Sequence, residues 1–78
     1  MHRPIRIVYH VVPIGQAWGV RRARRTRPDS LYWFKTPAIG WAKRMAKAAP
    51  RGQVKVHGRN GQIQSEFTYR GDPCATEG

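Results

Sequence analysis

Alternating apolar and polar side chains open the chain. Over residues 5–13, Ile7, Tyr9 and Val11 fall on one side of an extended backbone, and Val8, His10 and Val12 on the other. A period of two in β-branched residues predicts a strand, ended by Pro13 and Gly15. Residues 17–23 predict a second strand with Trp18 and Val20 on one face, and the short link makes the pair a hairpin. Five arginines then precede Pro28-Asp29, a turn signal. Residues 30–35, SLYWFK, predict a third strand.

The period then changes. Thr36-Pro37 predicts a helix start, a hydroxyl cap followed by proline at the first helical position. The helix is expected to run to about residue 49, where Pro50 and Gly52 stop it. At about 100° per residue, Ala38, Trp41, Ala42, Met45, Ala46, Ala48 and Ala49 form one apolar sector with Ile39 at its margin. Lys43, Arg44, Lys47 and, if the turn continues, Arg51 form the opposite one. Residues 30–65 contain no acid, so this basic face has no i,i+4 partner.

Alternation returns in VKVHGRNGQIQSEF, residues 54–67. Val54 and Val56 oppose Lys55 and His57; Ile63, Ser65 and Phe67 oppose Gln62, Gln64 and Glu66. Asn60-Gly61 predicts a two-residue hairpin turn, because both residues tolerate the positive φ of a type I′ turn. Gly58 permits a bulge or a longer loop. Residues 1–70 are expected to form one domain and 71–78, GDPCATEG, a tail that frays. The predicted architecture is α+β: an antiparallel β-sheet, β-β-β-α-β-β, with one helix packed on one face.

Length bounds what this domain can do. A chain of 78 residues buries only about 60% of its unfolded surface. Most of its 40% hydrophobic content is needed for a thin core, which argues against a deep substrate pocket. One cysteine, Cys74, allows no internal disulfide and fits a reducing cytosol. No apolar run approaches the roughly 18 residues of a membrane span, and none forms a signal-peptide core. A soluble cytoplasmic protein is the expectation.

Charge changes the picture most. Fifteen Lys and Arg against four Asp and Glu give a formal net charge of +11. Such imbalance attracts polyanions, and in a cytosol the usual one is nucleic acid. The phosphate-binding candidates are Arg21, Arg22, Arg24, Arg25 and Arg27 in the arginine run, with Lys43, Arg44, Lys47 and Arg51 on the helix. A solvated loop tip is the plain alternative for the run, and solubility for the helix face. Arg3 and Arg6 read as a solvated edge. In LYWF, Leu31 and Trp33 share one face and Tyr32 and Phe34 the other. One helix leaves one sheet face open, so an aromatic pair there is available to bases or to a protein, unless neighbouring strands or a second copy bury it.

Catalysis and metal binding find no support. His57 has Ser65 one strand away but no carboxylate to orient it, since Glu66 faces otherwise. Asp29 lies in a turn, and Asp72 and Glu77 in the tail. His2, His10, His57 and Cys74 show no ligand spacing. No catalytic residue, metal or cofactor is expected, and HGRNG reads as a turn.

Two segments, YHVVPIGQAWGV at residues 9–20 and VKVHGRNGQIQSEFTYRGDP at residues 54–73, resemble an uncharacterised bacterial family, domain of unknown function 2188. The resemblance rests on His10 to Pro13, Trp18, Val20, Thr36, His57 to Gly61, Ile63, and Thr68 to Pro73. It covers nearly the whole chain and implies a small domain with no established activity, so no catalytic residue carries over. The acid-free helix, the dense arginine run and Arg70 before Gly71 depart from the family pattern.

The leading expectation is a non-enzymatic nucleic-acid-binding module, for DNA or RNA, with weak sequence preference. Its rival is a protein-binding adaptor or inhibitor, of a phage-related kind, that docks a basic surface on an acidic protein. Either would act as monomer or homodimer, without membrane contact.

Overall fold

The computed structural model describes residues 6–69. His2, Arg3, Arg70 and the tail with Asp72, Cys74 and Glu77 lie outside the described residues. The elements are β1 (Ile7–Ile14), β2 (Ala17–Arg22), β3 (Ser30–Tyr32), α1 (Lys35–Ala48), β4 (Gly52–His57) and β5 (Ile63–Tyr69). The order is β-β-β-α-β-β, an α+β fold with α1 on one face of a five-stranded sheet.

The strands lie side by side as β3-β2-β1-β4-β5. Antiparallel pairing joins β1 to β2, β2 to β3 and β4 to β5, as expected from the turn signals. The central pairing refines that expectation. β1 and β4 run parallel, from Ile7↔Gly52 to Val11↔Val56. The reason lies in the helix. At 1.5 Å per residue α1 is about 21 Å long, the length of a typical strand. It carries the chain from the far end of β3 back to the end where β1 begins, so β4 must run alongside β1 in the same direction. Parallel neighbours require a connection of a dozen or more residues, and α1 supplies it.

Two periodicities meet in the core. Tyr9, Val11, Trp18, Val20, Val54 and Val56, taken from alternate strand positions, are buried against Ala38, Ala42 and Ala46. Spacing by four aligns the three methyl groups on one side of α1 and lets the helix approach the valines closely. Ile39, Trp41, Met45, Phe67 and Tyr69 pack around the rim. Ala48, assigned to the apolar sector, is exposed at the end of the helix.

Local boundaries shift where the helix and the last turn begin. α1 starts at Lys35, with Phe34 as N-cap in extended backbone and no side-chain cap bond. This shortens β3 and puts Thr36-Pro37 inside the first turn. Proline is tolerated there because the first four N–H groups of a helix have no intrahelical partner.

The closing hairpin turns on Arg59-Asn60 rather than on Asn60-Gly61. The Gly61 N–H donates to the Gly58 carbonyl at 2.9 Å, and the Gly58 N–H to the Gln62 carbonyl at 2.8 Å. Gly61 still takes the left-handed conformation, with φ of 87°. A register shift follows: Val56 pairs with Ser65 but His57 with Ile63, leaving Gln64 as the extra residue of a bulge. Ile63 therefore shares a face with His57 and not, as alternation alone suggests, with Phe67.

Candidate nucleic-acid interface

The two basic segments meet because β1 sits between their strands. β2 ends at Arg22, paired with Tyr9, and the next N–H, of Ala23, donates to the Val8 carbonyl at 2.8 Å. The Asp29 N–H donates to the Val20 carbonyl at 2.6 Å, so loop 23–29 leaves and rejoins the sheet at the end where β1 begins. On the other side of β1, the Ile7 N–H donates to the Arg51 carbonyl at 2.8 Å. Strand spacing puts the backbones of β2 and β4 about 10 Å apart across β1. The arginine loop and the exit from α1 thus flank one strand.

Within the loop, Arg24 has φ of 74°, and the Arg25 N–H donates to the Arg22 carbonyl at 3.1 Å. Positive φ outside glycine is uncommon, and here it closes a turn. Arg24, Arg25 and Arg27 are exposed, and with Thr26, Pro28 and Asp29 they line a shallow open depression. Arg22 is half-buried. Arg21 braces the loop from within, its guanidinium donating to the Arg25 carbonyl at 2.9 Å.

On α1 the expected basic face divides. Lys43 stands over Phe67, 4.0 Å from the ring centre, and Lys47 over Tyr69 at 5.6 Å. Both ammonium groups are drawn to the ring faces toward the β5 edge. Arg44 and Arg51 are exposed. Lys47, Arg51, Arg6 and the loop arginines share the end of the sheet where β1 and β4 begin. The acids among the described residues are Asp29 and Glu66, so the local field there is strongly positive.

The uncovered face of the sheet carries a polar row across four strands, since cross-strand partners share a face: Arg21, His10, Lys55 and Glu66. His10 Nδ1 lies 2.9 Å from His57 Nε2, and His57 Nδ1 lies 3.3 Å from the Gly61 carbonyl oxygen. A carbonyl only accepts, so His57 donates from Nδ1–H to Gly61, and in the neutral form of that ring Nε2 accepts from His10 Nδ1–H. Burial, and then the charges of His57, Arg21 and Lys55, hold the His10 pKa below its ordinary value. No spacing rule announces this pair, because its members are 47 residues apart.

HGRNG is a structural clamp at the opposite end of the sheet. The Arg59 guanidinium lies 5.0 Å from the Trp18 ring centre and donates to the Gly15 carbonyl at 3.2 Å. Lys35 Nζ lies 5.1 Å from the same ring and donates to Gln64 Oε1 at 2.6 Å. Trp18 is left 6% exposed. The closing turn is thereby tied to the first hairpin and to the start of α1. Ser65 pairs with Val56 and so sits across the sheet from His57. Among the described residues no group of three His, Cys, Asp or Glu is placed to hold a metal ion, and no helix is long and apolar enough to cross a membrane.

Of the LYWF aromatics, Tyr32 packs against the core, while Trp33 and Phe34 are 74% and 73% exposed, beside Leu31 at 57%. The expected division into two faces ends at Tyr32, where β3 ends.

No curated protein and no solved structure matches the chain. The sequence model of the bacterial family described as an uncharacterised protein conserved in bacteria, domain of unknown function 2188, matches residues 9–69. That span contains both the Trp18 segment and the HGRNG turn that clamps it. The chain belongs to this family.

Proposed function

We propose that this protein is a small non-enzymatic module that binds nucleic acid, mainly through phosphates and with weak sequence preference. The observation that supports this best is the meeting of loop 23–29 with the α1 exit on either side of β1. It gathers Arg22, Arg24, Arg25, Arg27, Lys47 and Arg51 at one end of the sheet, with Asp29 as the acid among them. Guanidinium forks and ammonium charges suit phosphate oxygens, and few Asn or Gln stand beside them to read base edges. The cytosol, where nucleic acid is the abundant polyanion, is the setting proposed for it.

Binding to a duplex oligonucleotide measured across a salt series tests this reading. With about five phosphates neutralised, log K should fall with log salt at a slope near −4 to −5. Arg22→Glu with Arg24→Glu and Arg25→Glu should weaken binding to all sequences alike. Arg44→Glu with Arg51→Glu probes the helix arm without disturbing Lys43 on Phe67 or Lys47 on Tyr69. The proposal fails if native protein shows no DNA or RNA affinity below about 100 µM near physiological salt, the weak end of non-specific binding. It fails equally if both variants bind like the parent.

A second reading draws on the exposure of Leu31, Trp33 and Phe34. In it the protein is an adaptor or inhibitor, of the phage-related kind, that docks on an acidic protein. Competition by DNA for a captured partner separates the two.

A further inference from the structure

Trp33 and Phe34 form a tandem of aromatic rings, each about three-quarters exposed, at the junction between β3 and α1. A chain of this size needs its large apolar side chains inside, and Tyr9, Trp18 and Tyr32 are used in that way. Two adjacent aromatics left in water therefore call for an occupant. Charge decides which. Lys35 follows Phe34 directly, and both Lys35 and Arg59 lie about 5 Å from the Trp18 ring centre at the same end of the sheet. A second copy docked symmetrically on this patch would bring Lys35 and Arg59 close to their own equivalents, between chains of formal net charge +11. A polyanion with exposed planar groups meets both features.

We infer that this end of the molecule selects single-stranded over duplex nucleic acid, with bases stacked on Trp33 and Phe34 and phosphates held by Lys35 and Arg59. The inference rests on the nucleic-acid reading above and adds the class of strand. In a duplex the base faces are already stacked on one another, so only an unpaired strand can use the two rings. Stacking is sequence-tolerant because every base has a π-face.

The test compares oligo(dT) of about 12 nucleotides with a duplex of equal length, using full-length protein at fixed salt. The single strand should bind more tightly and quench tryptophan emission; Trp33→Phe should keep the affinity and lose most of the quench. Trp33→Ala with Phe34→Ala should lose about 10- to 100-fold in single-strand affinity and leave duplex affinity within twofold. Both side chains are exposed, and circular dichroism with an unchanged urea midpoint verifies that the variant is folded. Equal or tighter duplex binding overturns the inference alone, as does a double variant that binds oligo(dT) like the parent. So does a concentration-dependent dimer that the double variant abolishes. If neither oligonucleotide binds, the nucleic-acid reading itself falls.

Discussion

The imidazoles of His10 and His57 meet across 2.9 Å, Nδ1 to Nε2, on the face of the sheet that α1 leaves uncovered. Burial first, and then His57, Arg21 and Lys55, lower the His10 pKa from 6.5. Between that lowered value and 6.5 the unfolded chain binds more protons at this position than the folded one. Stability therefore falls as pH drops through about 6.5, and this group adds no further loss below its folded pKa. The urea midpoint should be lower at about pH 5.5 than at about pH 7.5, and His10→Gln should flatten the difference. An undiminished slope in that variant would assign the pH dependence to other groups.

Two glycines should respond to substitution for different reasons. A Cβ at Gly52 would strike the Ala46 backbone carbonyl where α1 hands over to β4, and backbone cannot step aside. Gly52→Ala should cost about 1–3 kcal/mol, as overpacking does. Gly61 has open space around it but a φ of 87°, so Gly61→Val should cost on the order of 1–3 kcal/mol in backbone strain alone. Urea unfolding reads both. A Gly52→Ala protein as stable as the parent would show that the helix exit leaves room for a methyl group.

The clamp on Trp18 predicts a coupling. Arg59→Ala removes a cation from the ring and a donor from the Gly15 carbonyl, which should cost about 0.5–2 kcal/mol. In a Trp18→Leu background the same substitution should cost less. A double-mutant cycle on urea midpoints measures the difference, and strict additivity would mean that Arg59 does not act through the ring.

Lys43 and Arg44 are neighbours on α1 with different expected effects. Lys43 is seated on Phe67, so Lys43→Ala should destabilise by about 0.5–1 kcal/mol. Arg44 is exposed, and Arg44→Ala should stay within about 0.5 kcal/mol of the parent. Thermal melts of the two variants side by side provide the comparison; equal melting temperatures would leave the Lys43 contact without energetic content.

Ser30 offers a gain. Its Oγ is buried without a hydrogen-bond partner, opposite the fully buried Val20. Burying a lone hydroxyl costs about 1–3 kcal/mol, so Ser30→Ala should raise stability. A loss in the urea midpoint would mean that water or a shifted backbone carbonyl satisfies the hydroxyl.

The sequence by itself determined the order of the elements and the apolar faces of β1, β2, β4 and α1. Tyr9 and Val11, Trp18 and Val20, and Val54 and Val56 are legible as core because alternation reports which side of a strand is apolar. Ala38, Ala42 and Ala46 are legible because spacing by four does the same for a helix. The charge of the arginine run needed no fold to be seen. What only the tertiary structure decided is which surfaces become neighbours. The parallel seating of β4 on β1 joins segments more than 40 residues apart, and nothing in either strand's own pattern names its partner. From that one pairing follow the His10–His57 contact, the meeting of loop 23–29 with Arg51, and the bracing of Trp18 by Arg59. Local periodicity reflects the environment of a residue's own backbone. Partners are chosen by the length of the α1 crossover and by the need to bury the apolar faces of the sheet and helix together.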